Sequence, residues 1–546
     1  MTTIVETTDA ANQGSTHYAM GPGDAFFGTE TQGGSDWIAV TLLAGHSYSF
    51  GAVALGVAGT GMSDPFLKLH AANGAVVAQD DDGGPGLFAG MNFTATASGT
   101  YFVEVKALTA AGAGAYGLVV SAGNRISYGV EMAAAVLYRE GNTWAATPGA
   151  AVTLTWGLRQ SGPALDANDA PATVSVLSLA QIAAAEHALA SYAEVADVTF
   201  VRVNPGGTTN NATVLVGAYR SIGDGSGAYA FAPGSRDAAS VDGDLWINTA
   251  YVSSTNLAPG SYGGFTFLHE TGHALGLAHP GDYDATSGTA ISYQASAQFT
   301  QDSQQYTVMS YFPATATEAL APSGFCDTLM LYDILAIQRL YGVNTQTRSG
   351  NDVYGFHATL GGVYDFTLNT DPLLCIWDGG GRDRLDLSGF GGRQRINLND
   401  GTFSDVGGYR GNLSIAVGAW IETAIGGSGQ DVILGNERAN VLSGGGGADV
   451  LRGGRGNDRL SGNAGADRFV FGPGFGHDRI TDFDKDLDQI RLDRDLWGGT
   501  QKSAAQVVAE FAVLRDGVVV LDFGAAEVTL ARVGSTLGLS DALLIF

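Results

Sequence analysis

Three of the nine histidines in this 546-residue chain fall within one eleven-residue segment, HETGHALGLAH. On a helix, His269 and His273 lie one turn apart on the same face, so both imidazoles can reach one metal ion. Glu270 lies beside them, where it can take a proton from a water molecule at that metal. Gly276 lets the chain leave the helix sharply, which brings His279 round as a third ligand. Three nitrogens with an open fourth position are typical of catalytic zinc, and the segment predicts one such ion.

A structural role is the simplest alternative, because a lone buried histidine is usually a satisfied core residue. Five specified residue types at this spacing would occur by chance in such a chain with a probability on the order of 10⁻⁴. A catalytic zinc ion lowers the pKa of a water molecule to about 7, and a neighbouring carboxylate completes its activation. The segment therefore favours metal-assisted hydrolysis over a structural role.

A second segment, YTVMSY, follows the third histidine and contains Met309 and Tyr311. Together the two segments resemble the metzincin peptidases, in which a methionine turn lies beneath the zinc site. In the serralysin subgroup a tyrosine two residues after that methionine lies near the metal. The resemblance implies a structural role for Met309, and it implies that Tyr311 either coordinates zinc at rest or hydrogen-bonds the developing oxyanion. Taken alone, a Met and a Tyr at this spacing are more often core residues.

The resemblance to serralysins continues to the end of the chain, through HPGDY after the third histidine and through WDGG and FSDVGG further on. The chain departs from the family at its N-terminal segment. Serralysins carry only a short propeptide there, so zymogen behaviour stays open for this chain. No cysteine precedes Cys326, which excludes a pro-region thiol that blocks the zinc.

The elements that must position these residues lie in the segment 123–345, where the pattern predicts an α+β, metzincin-like protease domain. A capping box at Ser178 and Gln181 predicts a long helix that ends near Ala196. Further helices are predicted over 265–275 and 329–340, with short strands over 198–203, 212–216, 228–231 and 244–248. By analogy with strand addition, a substrate peptide would lie antiparallel to an edge strand that contains Ala228, Tyr229, Ala230 and Phe231.

An internal repeat of nine residues occupies the segment 426–470, in five consecutive windows of the form G-G-x-G-x-D-x-U-x, where U is apolar. The sixth position of each window holds an oxygen ligand: Asp431, Asn440, Asp449, Asp458 and Asp467. Six residues can form a glycine-permitted turn around a cation, and three residues form a short strand whose apolar side chain enters the core. The period predicts a parallel β-roll with several calcium ions between its turns. It resembles the RTX repeats of proteins exported by type I secretion.

Residues 1–122 read as all-β, because short alternating runs are separated by Gly, Asp and Pro turns. This segment resembles the pre-peptidase C-terminal-type β-sandwich that is found attached to secreted peptidases. The run Asp80–Asp82 is either a further calcium site or a solvated turn. We therefore predict a multidomain chain with a sandwich over 1–122, the protease domain over 123–345, a roll over 346–495, and a β cap with a secretion signal over 496–546.

Composition excludes other classes of protein. The chain has 54 acidic and 27 basic residues, a net charge of −27, which excludes a basic nucleic-acid binder. No apolar run reaches the ~18–20 residues of a membrane span. The N-terminus has no Sec-type signal, whereas the C-terminal DALLIF resembles the uncleaved signal of type I substrates. Cys326 and Cys375 are predicted to be free thiols, although one bridge between them is possible.

The sequence therefore predicts a secreted, monomeric zinc endopeptidase of the serralysin type. Its partners would be extracellular protein substrates and a type I transporter. One alternative is a calcium-folded adhesin with a silent zinc site, which a protease assay would distinguish. Another is a different RTX enzyme such as a lipase, which needs a G-x-S-x-G motif. Ser226 does not fit that motif, because it is not centred between its two glycines.

Overall fold

The computed structural model describes residues 2–10, 16–57, 61–160, 172–234, 241–284, 290–317, 319–321 and 324–546. The chain divides into two compact units, Met1–Thr317 with Gly324–Asn344, and Glu318–Ser323 with Thr345–Phe546. The protein is multidomain, with extensive β-sheet and few helices, as the sequence predicts. The division into four domains with the boundaries given above stays a prediction.

Two five-stranded sheets form the N-terminal part of the first unit. The sheet orders are β1-β3-β10-β5-β8 and β2-β4-β9-β6-β7. Both sheets contribute to one apolar core, in which Phe26, Phe50 and Leu118 face Ile38 and Val103. The strands are β1 (Thr3–Val5), β2 (Ala19–Met20), β3 (Ala25–Thr29), β4 (Asp36–Leu42), β5 (Ser47–Ala54), β6 (Pro65–His70), β7 (Val76–Asp80), β8 (Ala89–Thr94), β9 (Gly99–Ala107) and β10 (Ala115–Ala122).

In the described residues, a six-stranded sheet and the helices α1–α5 form the rest of the first unit. The sheet order is β13-β11-β14-β16-β15, and β12 pairs with β14. Its strands are β11 (Val152–Leu158), β12 (Thr173–Ser175), β13 (Val198–Arg202), β14 (Val214–Arg220), β15 (Ala228–Ala230) and β16 (Leu245–Asn248). The helices are α1 (Val130–Leu137), α2 (Leu179–Val195), α3 (Tyr262–Ala274), α4 (Tyr293–Ser296) and α5 (Leu331–Tyr341).

Capping residues determine where the helices begin. Ser178 and Gln181 form the predicted capping box of α2. Helix α3 begins three residues before the predicted start at 265, because the Ser261 side chain accepts a hydrogen bond from the amide of Gly264. This extra turn places the start of α3 beside β15, to which the helix packs closely.

The second unit consists mainly of parallel strands. Its sheets run β17-β19-β23-β25-β27-β29-β33-β32-β31, β20-β24-β26-β28-β30-β34 and β18-β22-β21. Neighbouring repeat strands are offset by two nine-residue windows, since Val432 pairs with Val450 and Val441 with Arg459. The apolar eighth positions of the repeats are fully buried: Ile433, Leu442, Leu451, Leu460 and Phe469. The observed register therefore follows the nine-residue period.

The strands of this unit are short, and one helix, α6 (Ala504–Phe511), lies near its end. The strands are β17 (Val353–Gly355), β18 (Leu374–Ile376), β19 (Arg384–Asp386), β20 (Arg395–Asn397), β21 (Phe403–Ser404), β22 (Leu413–Ile415), β23 (Thr423–Ile425), β24 (Val432–Leu434), β25 (Val441–Gly446), β26 (Val450–Arg452), β27 (Arg459–Ala464), β28 (Arg468–Phe471), β29 (His477–Ile480), β30 (Gln489–Leu492), β31 (Ala512–Arg515), β32 (Val518–Asp522), β33 (Glu527–Leu530) and β34 (Leu543–Ile545).

Candidate active site

Helix α3 and the loop after it bring three imidazoles to one point. The Nε2 atoms of His269 and His273 are 3.1 Å apart, and the Nε2 atom of His279 lies 3.0 Å from that of His273 and 3.2 Å from that of His269. Three nitrogens that are each about 2.0–2.1 Å from a tetrahedral zinc ion lie about 3.3 Å from one another. The observed spacing therefore fits a single zinc ion.

A backbone carbonyl orients each imidazole. The carbonyl oxygens of Val308, Leu277 and Tyr283 lie 2.8, 2.7 and 3.0 Å from the Nδ1 atoms of His269, His273 and His279, respectively. Because a carbonyl oxygen only accepts hydrogen bonds, each Nδ1 atom carries the proton and each Nε2 atom presents a lone pair. Three converging lone pairs repel one another unless a cation lies among them, so this donor set fits a metal ion.

Burial keeps the three imidazoles neutral. Desolvation lowers the pKa of His269 to about 3 and that of His273 to about 4, and it also lowers the pKa of His279 well below its ordinary value. Neutral imidazole is the form that binds a metal ion, whereas imidazolium is not a ligand. The site is therefore preorganised for a cation at neutral pH.

A glycine allows the turn between the second and third histidines. Gly276 has a φ of +101°, and a Cβ atom at this position would lie 2.0 Å from the backbone oxygen of Asn142. Both its backbone conformation and its surroundings therefore exclude a larger residue. The glycine that the sequence singled out lies where the chain leaves α3 and turns toward His279.

Glu270 lies on α3 beside the first histidine and is buried. Its Oε2 atom has no hydrogen-bond partner among the described residues. Desolvation raises the pKa of Glu270 to about 8. A cation bound at the histidines would favour the ionised carboxylate, which could then accept a proton.

Met309 packs under α3 at a point where the helix has no side chain. A Cβ atom on Gly272 would lie 2.6 Å from the Met309 sulfur and 2.6 Å from the Tyr192 hydroxyl oxygen. The Tyr192 hydroxyl donates a hydrogen bond to the carbonyl of Leu268. The close approach places Met309 against Gly272, the residue before the second histidine.

Asp333 on α5 is a positioning residue whose role the sequence did not reveal. Its buried carboxylate accepts hydrogen bonds from the Thr307 hydroxyl at 2.5 Å and from the amides of Val308 and Met330, both at 2.8 Å. Since the carbonyl of Val308 orients His269, Asp333 holds the first imidazole through the methionine turn. The only signal in the sequence was a lone acidic residue within an apolar helix.

Two tyrosines flank the third histidine. The ring centroid of Tyr311 lies 4.6 Å from that of His279 and 5.7 Å from that of His269. The Tyr283 ring stacks on His279 at 5.5 Å, and its hydroxyl donates a hydrogen bond of 2.9 Å to Asp302. The structure thus brings Tyr311 to the predicted site, and it adds Tyr283 and Asp302 as supports that the sequence did not single out.

A pocket of about 240 Å³ opens in front of these residues. Glu270, His269 and Tyr311 line it together with Ala228 of β15. β15 is the outermost strand of its sheet in the described part of the chain and runs antiparallel to β16. The side chains of Tyr229 and Phe231 pack instead into an aromatic cluster with Tyr219 and Trp246. Of the four residues proposed for substrate binding, Ala228 is therefore the one whose contact with the pocket is seen.

In the second unit, buried carboxylates of the repeats form a ladder. In three of them, one oxygen accepts the amide of the residue two windows earlier: Asp449 from Asp431, Asp458 from Asn440 and Asp467 from Asp449. The Oδ2 atoms of Asp449, Asp458 and Asp467, and that of Asp478 just beyond the repeats, are buried without a partner in the described structure. Desolvation raises the pKa of Asp458 to about 6 and that of Asp449 to about 7. Orphaned anionic oxygens in a row are the arrangement that a chain of cations would satisfy.

The sixth-position side chains of the repeats differ in how many hydrogen bonds they accept from backbone amides. Asp431 accepts two amides, those of Gln394 at 2.6 Å and Gly427 at 2.7 Å. Asn440 accepts the amide of Asn436 at 2.8 Å. Asp478, which lies just beyond the five windows, continues the ladder by accepting the amide of Asp458. The sequence pattern missed Asp478, because it lies two residues out of phase.

Two further acidic groups were not predicted from the sequence. Carboxylate oxygens of Asp352, Asp378 and Asp383 lie within 4.8 Å of one another, and desolvation raises the pKa of Asp383 to about 7. A second group, in the N-terminal sheets, consists of Glu6, Asp9 and Asp36. Both groups bring oxygen ligands together that lie apart in the sequence.

The run Asp80–Asp82 forms a turn. The Asp80 side chain accepts the amides of Gly83 at 2.7 Å and Gly90 at 2.9 Å. Within the described residues, this run contributes to no group of three metal-ligating side chains. Cys326 and Cys375 are both buried thiols that form no disulfide.

Comparison with known proteins identifies relatives over most of the chain. The family profile described as Peptidase M10 serralysin C terminal matches residues 343–530. The metallopeptidase AprA of Pseudomonas marginalis is 42% identical over 435 residues, which cover 77% of this chain and 89% of that protein. Serralysin C of Dickeya chrysanthemi is 42% identical over 328 residues, 58% of this chain and 66% of that protein. The metalloprotease AprA of Pseudomonas entomophila is 42% identical over 380 residues, 67% of this chain and 77% of that protein.

One solved structure, the pre-peptidase C-terminal domain of a collagenase from Bacillus anthracis, covers 20% of this chain and 100% of its own length, at 18% identity and a TM-score of 0.17. The resemblance of residues 1–122 to that domain type stays a prediction. Among the helices that the structure describes, none combines the length and the apolar character needed to cross a membrane.

Proposed function

The chain belongs to the serralysin family of metalloendopeptidases, and from this premise we propose that it is a secreted, zinc-dependent endopeptidase that cleaves extracellular proteins. The proposal rests mainly on one observation: three unprotonated Nε2 atoms converge beside a buried Glu270 oxygen that has no hydrogen-bond partner in the described structure. His269, His273 and His279 would hold the ion. When bound, zinc supplies Lewis-acid polarisation of a carbonyl and lowers the pKa of a water molecule to about 7.

Glu270 acts as the general base and then as the general acid. Its carboxylate accepts a proton from the attacking water and later donates a proton to the leaving amine nitrogen. Phe265 and Phe325 contribute apolar surface to the pocket that Glu270 lines. Tyr311, which lines the same pocket, donates its hydroxyl proton as a hydrogen bond to the substrate oxygen that gains negative charge.

The substrate peptide binds along the edge of the six-stranded sheet. An extended peptide antiparallel to β15 would form main-chain hydrogen bonds with Ala228 and Ala230 and reach the pocket at Ala228. Tyr229 and Phe231 would stiffen this edge through their packing on Tyr219 and Trp246. Main-chain recognition of this kind suits an enzyme that cleaves many extended protein substrates.

Calcium is the second cofactor in the proposal. Several calcium ions would be held by Asp431, Asn440, Asp449, Asp458 and Asp467 of the repeats, and the group of Asp352, Asp378 and Asp383 is a further candidate. In the low calcium of a cytosol, the repeats would stay unfolded and could pass through a type I transporter. Outside the cell, millimolar calcium would neutralise the buried carboxylates and close the parallel sheets. The enzyme is proposed to act there as a monomer.

The test of the catalytic proposal is Glu270→Ala. This variant should lose nearly all hydrolysis of casein while it keeps one equivalent of zinc, measured by metal analysis of the purified protein. The exposed Glu437 provides the matched control, since Glu437→Ala should retain both activity and zinc. Wild-type casein hydrolysis by Glu270→Ala would overturn the assignment. Zinc bound to a wild-type protein without any proteolytic activity would instead favour the adhesin alternative.

A further inference from the structure

The residues after the third histidine are in contact with the N-terminal sheets. Arg139, which follows α1, donates hydrogen bonds from Nη1 to the carbonyls of His279 at 2.6 Å and Val136 at 2.8 Å. Its Nη2 atom lies 3.3 Å from the Asp282 carboxylate. The Arg139 side chain is about 10% exposed. One buried guanidinium therefore connects the backbone of the third ligand with the carboxylate three residues later.

The turn between β7 and β8 contacts the same carboxylate, that of Asp282. The amide of Gly86 donates to Asp282 Oδ1 at 2.9 Å. Gln298 donates from Nε2 both to the carbonyl of Gly84 at 3.1 Å and to Asp282 Oδ2 at 3.0 Å. The amide of Asp282 in turn donates to Gln298 Oε1 at 3.0 Å. The Asp282 carboxylate is thus held from both sides, by the N-terminal sheets and by the catalytic segment.

The turn packs so closely against Arg139 that a side chain at position 86 would collide with it. Gly86 has a φ of +62°, and a Cβ atom there would lie 2.9 Å from Arg139 Nε and 3.0 Å from its Cδ atom. Gly74, at the turn between β6 and β7, has a φ of +83° with nothing within 4 Å of its Cβ position. The two glycines share a left-handed conformation, but only Gly86 also makes a close approach.

The held segment determines the orientation of the third imidazole. His279 Nδ1 donates to the carbonyl of Tyr283, the residue after Asp282, at 3.0 Å. The segment from His279 to Tyr283 therefore begins at a carbonyl bound by Arg139 and ends at a carbonyl that orients the ring. A shift of Asp282 would move the Tyr283 carbonyl and rotate the His279 ring away from the other two ligands.

The sheets also pack on the catalytic segment away from this turn. A Cβ atom on Gly117 of β10 would lie 2.9 Å from the Met132 side chain of α1, and one on Gly51 of β5 would lie 2.9 Å from Ile126. No residue of 2–122 that the structure describes lines the substrate pocket. The N-terminal sheets therefore contact the catalytic segment outside the substrate pocket. An inhibitory segment, by contrast, would have to occupy the pocket.

We propose that the N-terminal pair of sheets is a permanent part of the active-site framework, in which the turn at Gly84–Gly86 positions His279 through Asp282 and Arg139. The proposal rests on the proposed function, because it takes His279 to be a zinc ligand. Asp282 and Gly86 are positioning residues and touch neither substrate nor metal. The segment 1–122 is then retained in the active enzyme and is not a removable propeptide.

The test uses three variants of the full chain: Gly86→Ala, Asp282→Asn and the control Gly74→Ala. The rate of zinc release to a chromogenic chelator is measured, together with kcat and KM on a peptide substrate. Loss of a group that orients a metal ligand typically costs 10- to 100-fold in metal affinity. Gly86→Ala and Asp282→Asn should release zinc at least about tenfold faster and lose kcat with little change in KM. Gly74→Ala should behave as the wild type.

Each outcome decides a different claim. If the wild type binds zinc and cleaves casein but all three variants release zinc at the wild-type rate, the positioning proposal is wrong and the proposed function stands. If the wild type neither binds zinc nor cleaves casein, the proposed function itself fails. N-terminal sequencing of the secreted enzyme should find residues of 2–122 in the active species, and a gain of activity on their removal would overturn the proposal. Circular dichroism of Gly86→Ala checks that the variant remains folded.

Discussion

At the scale of single residues, the candidate active site combines three converging imidazoles with a buried carboxylate oxygen that has no partner in the described structure. The three imidazoles are held neutral, and Glu270 has an oxygen that nothing in the described structure satisfies. A buried polar atom without a partner costs about 1–3 kcal/mol, and a bound cation or a reacting water would offset that cost at Glu270. The same argument applies to the repeats, where Asp449 and Asp458 carry such oxygens.

Asp333 provides a test of indirect control over the metal site. Replacing it with alanine leaves the Thr307 hydroxyl and the amides of Val308 and Met330 without their acceptor, which should cost about 2–5 kcal/mol of unfolding free energy. Asp333→Asn keeps one accepting oxygen and should lose less. Thermal unfolding of the zinc-loaded protein measures the difference. The prediction is wrong if Asp333→Ala melts at the wild-type temperature.

Asp36 predicts a pH dependence far from the metal site. Its buried carboxyl accepts the Tyr116 hydroxyl at 2.8 Å, and desolvation raises its pKa to about 7. The pKa of Asp36 in the folded protein lies above the ordinary value of 3.8, so the protonated carboxyl stabilises the folded state. This contribution to the free energy of unfolding is complete below about pH 4 and is lost as the pH rises to about 7. Three pKa units correspond to at most about 4 kcal/mol.

Hydrogen exchange of the amides in β4 and β10, corrected for intrinsic rates, measures this effect between pH 4 and pH 8. Protection in the wild type should fall as the pH rises, whereas Asp36→Asn should show a much smaller slope because its side chain cannot ionise. The exposed Asp82 provides the control, since Asp82→Asn should keep the wild-type slope. Equal slopes for the wild type and Asp36→Asn would contradict the assignment.

At the scale of elements, local patterns predicted what lies within one helix, turn or repeat. The spacing of His269 and His273 required only a helix, and the capping box at Ser178 located the start of α2. Contacts between elements had no such signal. Asp333 reaches Thr307 across 26 residues, and Arg139 reaches the His279 carbonyl across 140. A single sequence does not state which distant residues pack together, so these supports emerged only from the fold.

The turn after α3 gives a prediction at this scale. Gly276→Ala would place a Cβ atom 2.0 Å from the Asn142 backbone oxygen in a left-handed conformation, so the backbone must move. The third histidine should then leave the metal site, with loss of zinc and of at least about 10²-fold in kcat. Gly206→Ala is the matched control, because nothing lies within 4 Å of its Cβ position. Zinc content and kcat of the two variants are compared, and wild-type values for Gly276→Ala would refute the role of the turn.

At the scale of the whole molecule, the two units differ in what stabilises them. The first unit has apolar cores and helices. The second also buries apolar side chains, but its repeat strands are short, and the Oδ2 oxygens of Asp449, Asp458 and Asp467 are buried without partners in the described structure. The net charge of −27 adds general repulsion, but its effect is screened within about 8–10 Å at ordinary salt. The proposed dependence of the second unit on cations therefore rests on the placement of the carboxylates, at a constant interval along two parallel sheets.

Calcium withdrawal should accordingly unfold the repeats and leave the catalytic unit folded. In calcium-free buffer with zinc maintained, amides of β24–β28 should lose hydrogen-exchange protection, because Asp449 and Asp467 repel each other, as do Asp458 and Asp478. Amides of α3 should stay protected. Asp458→Asn removes one ligand charge and should shift the calcium midpoint several-fold higher, whereas Asp486→Asn, at an exposed position, should not change it. Full protection of the repeats without calcium would show that the parallel sheets are stable alone, and the proposed coupling of folding to export would then have no physical basis.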